Sequence, residues 1–90
     1  MTTNLLKYRL RDKSGHPTDT WLPITPEVIR SKLQYDEIVQ VRHALSHNMR
    51  QSGLTWVEIG AVLNRSENSV LAGARKAKKD YIDVVKSIQL

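Results

Sequence analysis

LTWVEIGAVLNRSENSVLAGARKAKK, residues 54–79, carries more local structural instruction than any other part of this 90-residue chain. Thr55 stands where a helix N-cap is wanted, and Glu58, three residues on, can reach back to complete a capping box. Leu54 and Ile59 flank that cap at the spacing of a hydrophobic staple. Ile59, Val62 and Leu63 then recur at helical spacing as one apolar face. Asn64 follows the last of them, and its side chain tolerates the left-handed backbone that ends many helices. Ser66 is an N-cap for a second helix, whose inward face uses Val70, Ala74 and Ala77. Gly60 sits inside the first helix at a cost of roughly 1 kcal/mol relative to alanine. A second helix crossing close to its backbone would offset that cost. The segment thus predicts two capped helices joined by a tight turn, the second ending in clustered positive charge. That is the layout of a helix-turn-helix that enters the major groove of duplex DNA.

The charge distribution points the same way. The formal net charge is +5. Between Arg42 and Lys79 lie seven basic residues (Arg42, Arg50, Arg65, Arg75, Lys76, Lys78, Lys79) and two acids, Glu58 and Glu67, so this segment supplies the whole excess. Such a patch favours a polyanionic partner through counterion release. A solvated, solubilising face is the plainer meaning of a lysine cluster taken alone.

Outside the motif the chain reads as support. Leu5 to Arg11 alternates, with Leu6, Tyr8 and Leu10 on one side and Lys7, Arg9 and Arg11 on the other, which is a strand pattern. Residues 12–17 are rich in turn formers, and Thr20-Trp21-Leu22 returns as a second strand ended by Pro23. Two strands alone are marginally stable, so Tyr8, Leu10 and Trp21 are expected to pack on the helices. Lys7, Arg9 and Arg11 then either contact phosphate as a wing or remain solvated on a stabilising appendage; a disordered basic arm is the third reading. Thr25-Pro26-Glu27 is a helix start, running to about Leu33. Asp36 is the expected cap of the next helix, with Ile38, Val41, Leu45 and Met49 inward and Gly53 as its stop. Tyr81, Ile82, Val84, Val85 and Ile88 continue at helical spacing, extending the second motif helix or following a bend near Asp80.

The expected fold class is therefore mainly α: a helix-turn-helix bundle of four to five helices with a small N-terminal β-hairpin. One domain spans residues 1–90, with a hairpin or arm over 1–24, supporting helices over 25–53, the helix-turn-helix over 54–79 and a C-terminal helix over 80–90. Ninety residues with 40% hydrophobic and 26% charged composition suit one small globular core.

The first turn of the second motif helix would face base edges, which nominates Arg65, Ser66, Glu67, Asn68 and Ser69 as base readers. Asn68 suits adenine N6 and N7, Glu67 suits cytosine N4, and Arg65 suits guanine or a phosphate. Ser66 and Glu67 also have local roles, as cap and as an acid favouring the helix dipole. Thr55, Arg75, Lys76, Lys78 and Lys79 are candidates for the DNA backbone, which positions without carrying sequence. Trp56 is read as a core or hairpin contact ahead of a DNA contact. His43 and His47 stand four apart with no third ligand, so no metal site is assigned and both are read as surface residues. No nucleophile–base arrangement or paired carboxylate can be argued, and no cofactor motif is present, so no enzyme is expected. There is no cysteine, no apolar run near the ~20 residues of a membrane span and no secretory signal pattern. A cytoplasmic protein, nucleoid-associated or in a phage host, is expected.

From Ile38 to about Lys79 the chain resembles the C-terminal DNA-binding domain of the bacterial initiator DnaA, a helical architecture shared with Trp repressor. Arg65, Val70, Leu71, Arg75 and Lys76 fall on positions of that family's turn and recognition helix, and Glu58-Ile59-Gly60 matches its first motif helix. The family's base-reading aspartate, histidine and two threonines fall on Ser66, Glu67, Asn68 and Ser69, of which only Ser69 is a close chemical substitute. A Gly-rich phosphate loop with lysine is absent. The resemblance implies a free-standing relative of the binding module, a small bacterial or phage transcription regulator reading a different sequence. Homodimerisation through Tyr81, Ile82, Val85 and Ile88 would set two half-sites about 34 Å apart, whereas a monomer would spend the same residues on its own core. The alternative function is a protein-interaction module, such as a phage factor binding host replication or transcription machinery.

Overall fold

The N-terminal alternation becomes an antiparallel hairpin in the computed structural model, which describes residues 6–88. Strand β1 (Lys7–Arg11) pairs with β2 (Pro17–Pro23), Tyr8 opposite Leu22 and Arg9 opposite Trp21, with an irregularity between Arg9 and Arg11. Leu5, where the sequence places the start of the first strand, lies outside the described residues. Because neighbouring strand positions face opposite ways, Tyr8 and Leu22 turn inward together. Tyr8 is buried, its ring edge-on to Tyr35 at 5.3 Å. Trp21 therefore turns outward. It is 43% exposed, with the Arg9 guanidinium 5.7 Å from its ring, which corrects the expectation that it packs on the helices.

Helix α1 (Pro26–Arg30) starts as expected, with the Thr25 hydroxyl accepting from the Val28 amide at 3.3 Å. It stops well short of Leu33, and the cause lies in the next helix. From α2 (Asp36–Gln51), the guanidinium of Arg42 donates to the carbonyls of Ile29 and Leu33 at 2.7 Å, Ser31 at 2.8 Å and Val28 at 3.3 Å, and to Gln34 Oε1 at 3.4 Å. Five N–H groups thus meet five acceptors. The Ile29 carbonyl near the end of α1 is thus satisfied by a cation from another helix, while the Val28 carbonyl also accepts from the amide and hydroxyl of Ser31. Asp36 is the first helical residue of α2 rather than its cap. Tyr35 holds the cap position with extended backbone and no side-chain bond, and Asp36 and Glu37 favour the helix dipole from the first turn.

Ile38, Val41, Ala44 and Leu45 of α2 are buried, and the other helices pack around it. Ser52 and Gly53 end the helix; Gly53 has φ 103°, a conformation that side chains with a Cβ resist. Then follow α3 (Trp56–Leu63), α4 (Glu67–Arg75), α5 (Lys79–Val84) and a 3-10 turn at Val85–Ser87. Ile29, Ile38, Ile59, Leu63 and Val85 are at most 1% exposed and form the centre of the core. The bend between α4 and α5 falls at residues 76–78, so the basic segment is one short helix, a turn and the start of another. Val85 is spent inside the chain's own core, which removes it from any dimer surface; Tyr81, Ile82 and Ile88 are half-buried against that core. Asn48 Nδ2 on α2 fixes this end by donating to the Ile82 carbonyl at 3.0 Å. The mainly α class with an N-terminal hairpin is what the structure shows. Among the described residues, no helix is long and apolar enough to cross a membrane.

Candidate nucleic-acid interface

The turn between α3 and α4 is built from side-chain chemistry visible in the sequence. Thr55 Oγ accepts from the Glu58 amide at 3.2 Å, and Glu58 Oε1 accepts from the Thr55 amide at 2.8 Å. Those bonds hold the Glu58 carboxyl below its ordinary pKa, the backbone donor contributing most. Asn64 ends α3 with φ 55° and ψ 49°, the left-handed conformation expected of it. Ser66 Oγ then caps α4, accepting from the Ser69 amide at 3.2 Å. Gly60 is needed because a Cβ there would lie 2.5 Å from the Arg65 carbonyl oxygen. The close approach belongs to the turn backbone and not to a crossing helix, which refines the expectation from sequence.

At 100° per residue, the positions of α4 sort into two sides. Val70 and Gly73 are buried, and Ala74 and Ala77 are half-buried beside them. The opposite side centres on Asn68, Ala72 and Arg75, all exposed, with Ser69 and Lys76 at its margins; Glu67 is exposed in the first turn, on the line of Ala74. Gly73 is an inward position that periodicity of apolar side chains could not show: a Cβ there would meet His43 Cδ2 at 2.7 Å. Ala72 was missed as well, being small and apolar in sequence yet exposed at the centre of the outer side.

The five nominated base readers divide into two groups. Glu67 and Asn68 are exposed at the leading edge, and no side-chain partner engages either among the described residues. Ser66 and Ser69 are exposed but bonded to each other, Ser66 Oγ donating to Ser69 Oγ at 2.9 Å. Arg65 is half-buried, and its guanidinium donates to the carbonyls of Asn64, at 2.8 Å, and Ser31. It ties the turn to the end of α1, as do Asn64 Nδ2, donating to the Arg30 carbonyl at 3.1 Å, and Arg30 Nε, donating to the Val62 carbonyl at 3.0 Å.

Among the backbone candidates, Arg75, Lys76, Lys78 and Lys79 are all exposed. Thr55 is exposed with its hydroxyl committed to the cap. Trp56 is half-buried against the core beneath the Arg50 guanidinium, 5.0 Å from its ring. Arg42, counted in sequence as part of the basic patch, is 5% exposed and no surface charge at all. Burial, and secondarily the Arg65 charge, push its pKa down to about 10. His43 is likewise no plain surface residue, being half-buried and packed on Gly73. Its pKa is lowered by burial first, then by Lys76 and Arg42. On the hairpin, Lys7 and Arg11 are exposed, and Arg9 is half-buried. Arg9 donates to the Thr18 carbonyl and pairs with Asp19 at 3.4 Å; Arg11 donates to the Gly15 carbonyl at 3.0 Å. Both arginines thus brace the hairpin itself.

Compared with known protein families, curated proteins and solved structures, the chain matches none.

Proposed function

We propose that this chain binds double-stranded DNA sequence-specifically, α4 lying in the major groove, and acts as a small transcription regulator of bacterial or phage type. The observation that carries the reading is the outer side of α4. Its leading edge offers Asn68 without a partner, next to the equally unpartnered Glu67 of the first turn, its middle is the small Ala72, and its trailing end is cationic. A helix read this way places polar groups at base edges, a methyl where a thymine methyl can meet it, and charge along the phosphates. Arg65 and Ser66 act here by holding the turn. Lys76, Lys78 and Lys79 follow the helix end, where they meet one strand's backbone. The resemblance to the DnaA and Trp repressor DNA-binding architecture supports the same use of the motif.

Selection of bound fragments from random duplex DNA tests the proposal. A defined consensus, with affinity falling steeply between low and moderate salt, is the expected result. Recovery of no consensus, with binding indifferent to salt, rejects it.

The reading as a protein-interaction module has one observation of its own. A cleft of about 560 Å³ lies between the end of α2, the α2–α3 connection, the last turn of α3 and the C-terminal turn, with Leu45, Met49, Leu54, Val62 and Ile88 in its wall. An apolar partner docked there would respond little to salt. Dimerisation, where it occurs, would have to use Tyr81, Ile82 and Ile88 without Val85.

A further inference from the structure

A second cleft, of about 290 Å³, lies where α2, α4 and the α1–α2 connection meet. Its wall holds four basic groups, Arg42, His43, Arg65 and Lys76, and neither aspartate nor glutamate. The imbalance is built into the fold. Arg42 and Arg65 both donate to the Ser31 carbonyl, which brings two guanidinium groups onto one neutral oxygen. A buried cation without a carboxylate is costly unless hydrogen bonds compensate it, and here carbonyls satisfy the N–H groups of Arg42 while leaving its charge unneutralised. The depressed titration of His43, caused after burial by Lys76 and Arg42, reports the same positive field.

Donors remain to be used. Arg65 gives two of its five N–H groups to protein carbonyls and keeps three. The Ser69 hydroxyl accepts from Ser66, so its own hydrogen is uncommitted. Gln34 uses its oxygen toward Arg42, which leaves its amide hydrogens. Lys76 is exposed and makes no ion pair among the described residues. We infer that this cleft is an oxyanion site that seats a phosphate group, held by Arg65 and Lys76 with Gln34 and Ser69 as neutral donors. Planar guanidinium donors beside an ammonium suit tetrahedral phosphate oxygens. The cleft has room for a phosphate ester: either a phosphodiester of a DNA strand passing along α4 or a free phosphorylated compound.

The test uses the whole chain and inorganic phosphate, followed by nuclear magnetic resonance of the Arg65 Nε–H and Gln34 amide signals. Saturable shifts are expected with phosphate and none with chloride at matched ionic strength. Lys76 is exposed and supports no other group, so Lys76→Gln should leave the fold intact and weaken phosphate binding roughly tenfold, the loss of one charge-assisted bond. Arg65→Lys, which keeps the charge while losing the fork, should also weaken it. Shifts that rise without saturation, or that chloride reproduces, overturn the inference, as does an unchanged phosphate affinity in Lys76→Gln. Competition between phosphate and duplex DNA beyond the ionic-strength effect identifies the DNA backbone as the source; simultaneous binding identifies a free ligand. A protein that binds phosphate and ignores duplex DNA would keep this inference and reject the proposed function.

Discussion

Gly73 of α4 packs closely against the imidazole of His43 on α2: a Cβ at position 73 would stand 2.7 Å from Cδ2, 3.4 Å from Nε2 and 3.5 Å from Cγ. The contact sets how deeply α4 seats. Gly73→Ala should therefore destabilise the fold by about 1–3 kcal/mol despite alanine's better helix propensity, the usual cost of overpacking. Because the obstacle is a side chain, His43→Ala should largely remove that cost. Urea denaturation of the two single variants and the double variant measures the coupling, and an equal penalty in both backgrounds contradicts the account.

Gly60 faces a harder obstacle. The Arg65 carbonyl oxygen, 2.5 Å from the position of a Cβ, is backbone fixed by the turn and cannot swing aside. Gly60→Ala should gain about 1 kcal/mol of helix propensity and lose more to displacement of the turn, for a net cost of about 1–3 kcal/mol. No side-chain truncation should suppress it. A variant as stable as the parent in urea would show that the turn relaxes freely.

Arg42 is a capping device for α1 disguised as a surface charge. Arg42→Met leaves the Ile29 and Leu33 carbonyls without a donor, and those of Val28 and Ser31 with one fewer, and should cost about 3 kcal/mol or more. Arg42→Lys should rescue little, since one ammonium cannot span acceptors that a planar fork reaches. Chemical denaturation compares the three, and a lysine variant of full stability would sink the argument.

These cases mark what sequence could and could not reveal. The capping box at Thr55 and Glu58, the left-handed Asn64 and the Ser66 cap were legible because each is decided within four residues by a side chain's reach to its own backbone. The hairpin and the inward face of α2 were legible because periodicity is local too. The early end of α1, the burial of Arg42 and the contact of Gly73 with His43 were not, because each depends on a partner more than ten residues away. Trp21 turned outward for a further reason: a strand position alternates regardless of size, and the inward place fell to Leu22. In the candidate site the exposed place of Asn68 in the first turn of α4 was legible from the cap. The commitment of Arg65 to Ser31 was hidden by 34 residues of separation.

His43 gives stability a pH dependence of defined sign. Burial, then Lys76 and Arg42, hold its folded pKa below the ordinary value of about 6.5. The unfolded chain therefore binds a proton more readily, and stability rises with pH. Its contribution is fully present above about pH 6.5 and is lost as pH falls through the lower folded value. Thermal unfolding between pH 8 and pH 5 should show this loss, and His43→Gln, which cannot titrate, should show less of it. Parallel pH profiles for the two proteins would assign the dependence elsewhere.

Asn68 and Arg75 lie on the same outer side of α4, two turns apart, and should fail differently when removed. Asn68→Ala takes away a bidentate partner for one base, so it should cost about 1–3 kcal/mol at a single position of the selected consensus and leave nonspecific affinity untouched. Arg75→Ala combined with Lys78→Ala takes away charge from exposed side chains that make no hydrogen bond or ion pair among the described residues. That pair should weaken binding to every sequence and lower the slope of log affinity against log salt by roughly two. The two signatures are separable because base contacts discriminate among sequences, whereas counterion release is blind to them. If the Asn68 variant returns the parental consensus, the leading edge of α4 does not face base edges. If the slope is unchanged in the charge variant, the trailing end does not follow the phosphates, and the groove orientation proposed for this helix is wrong.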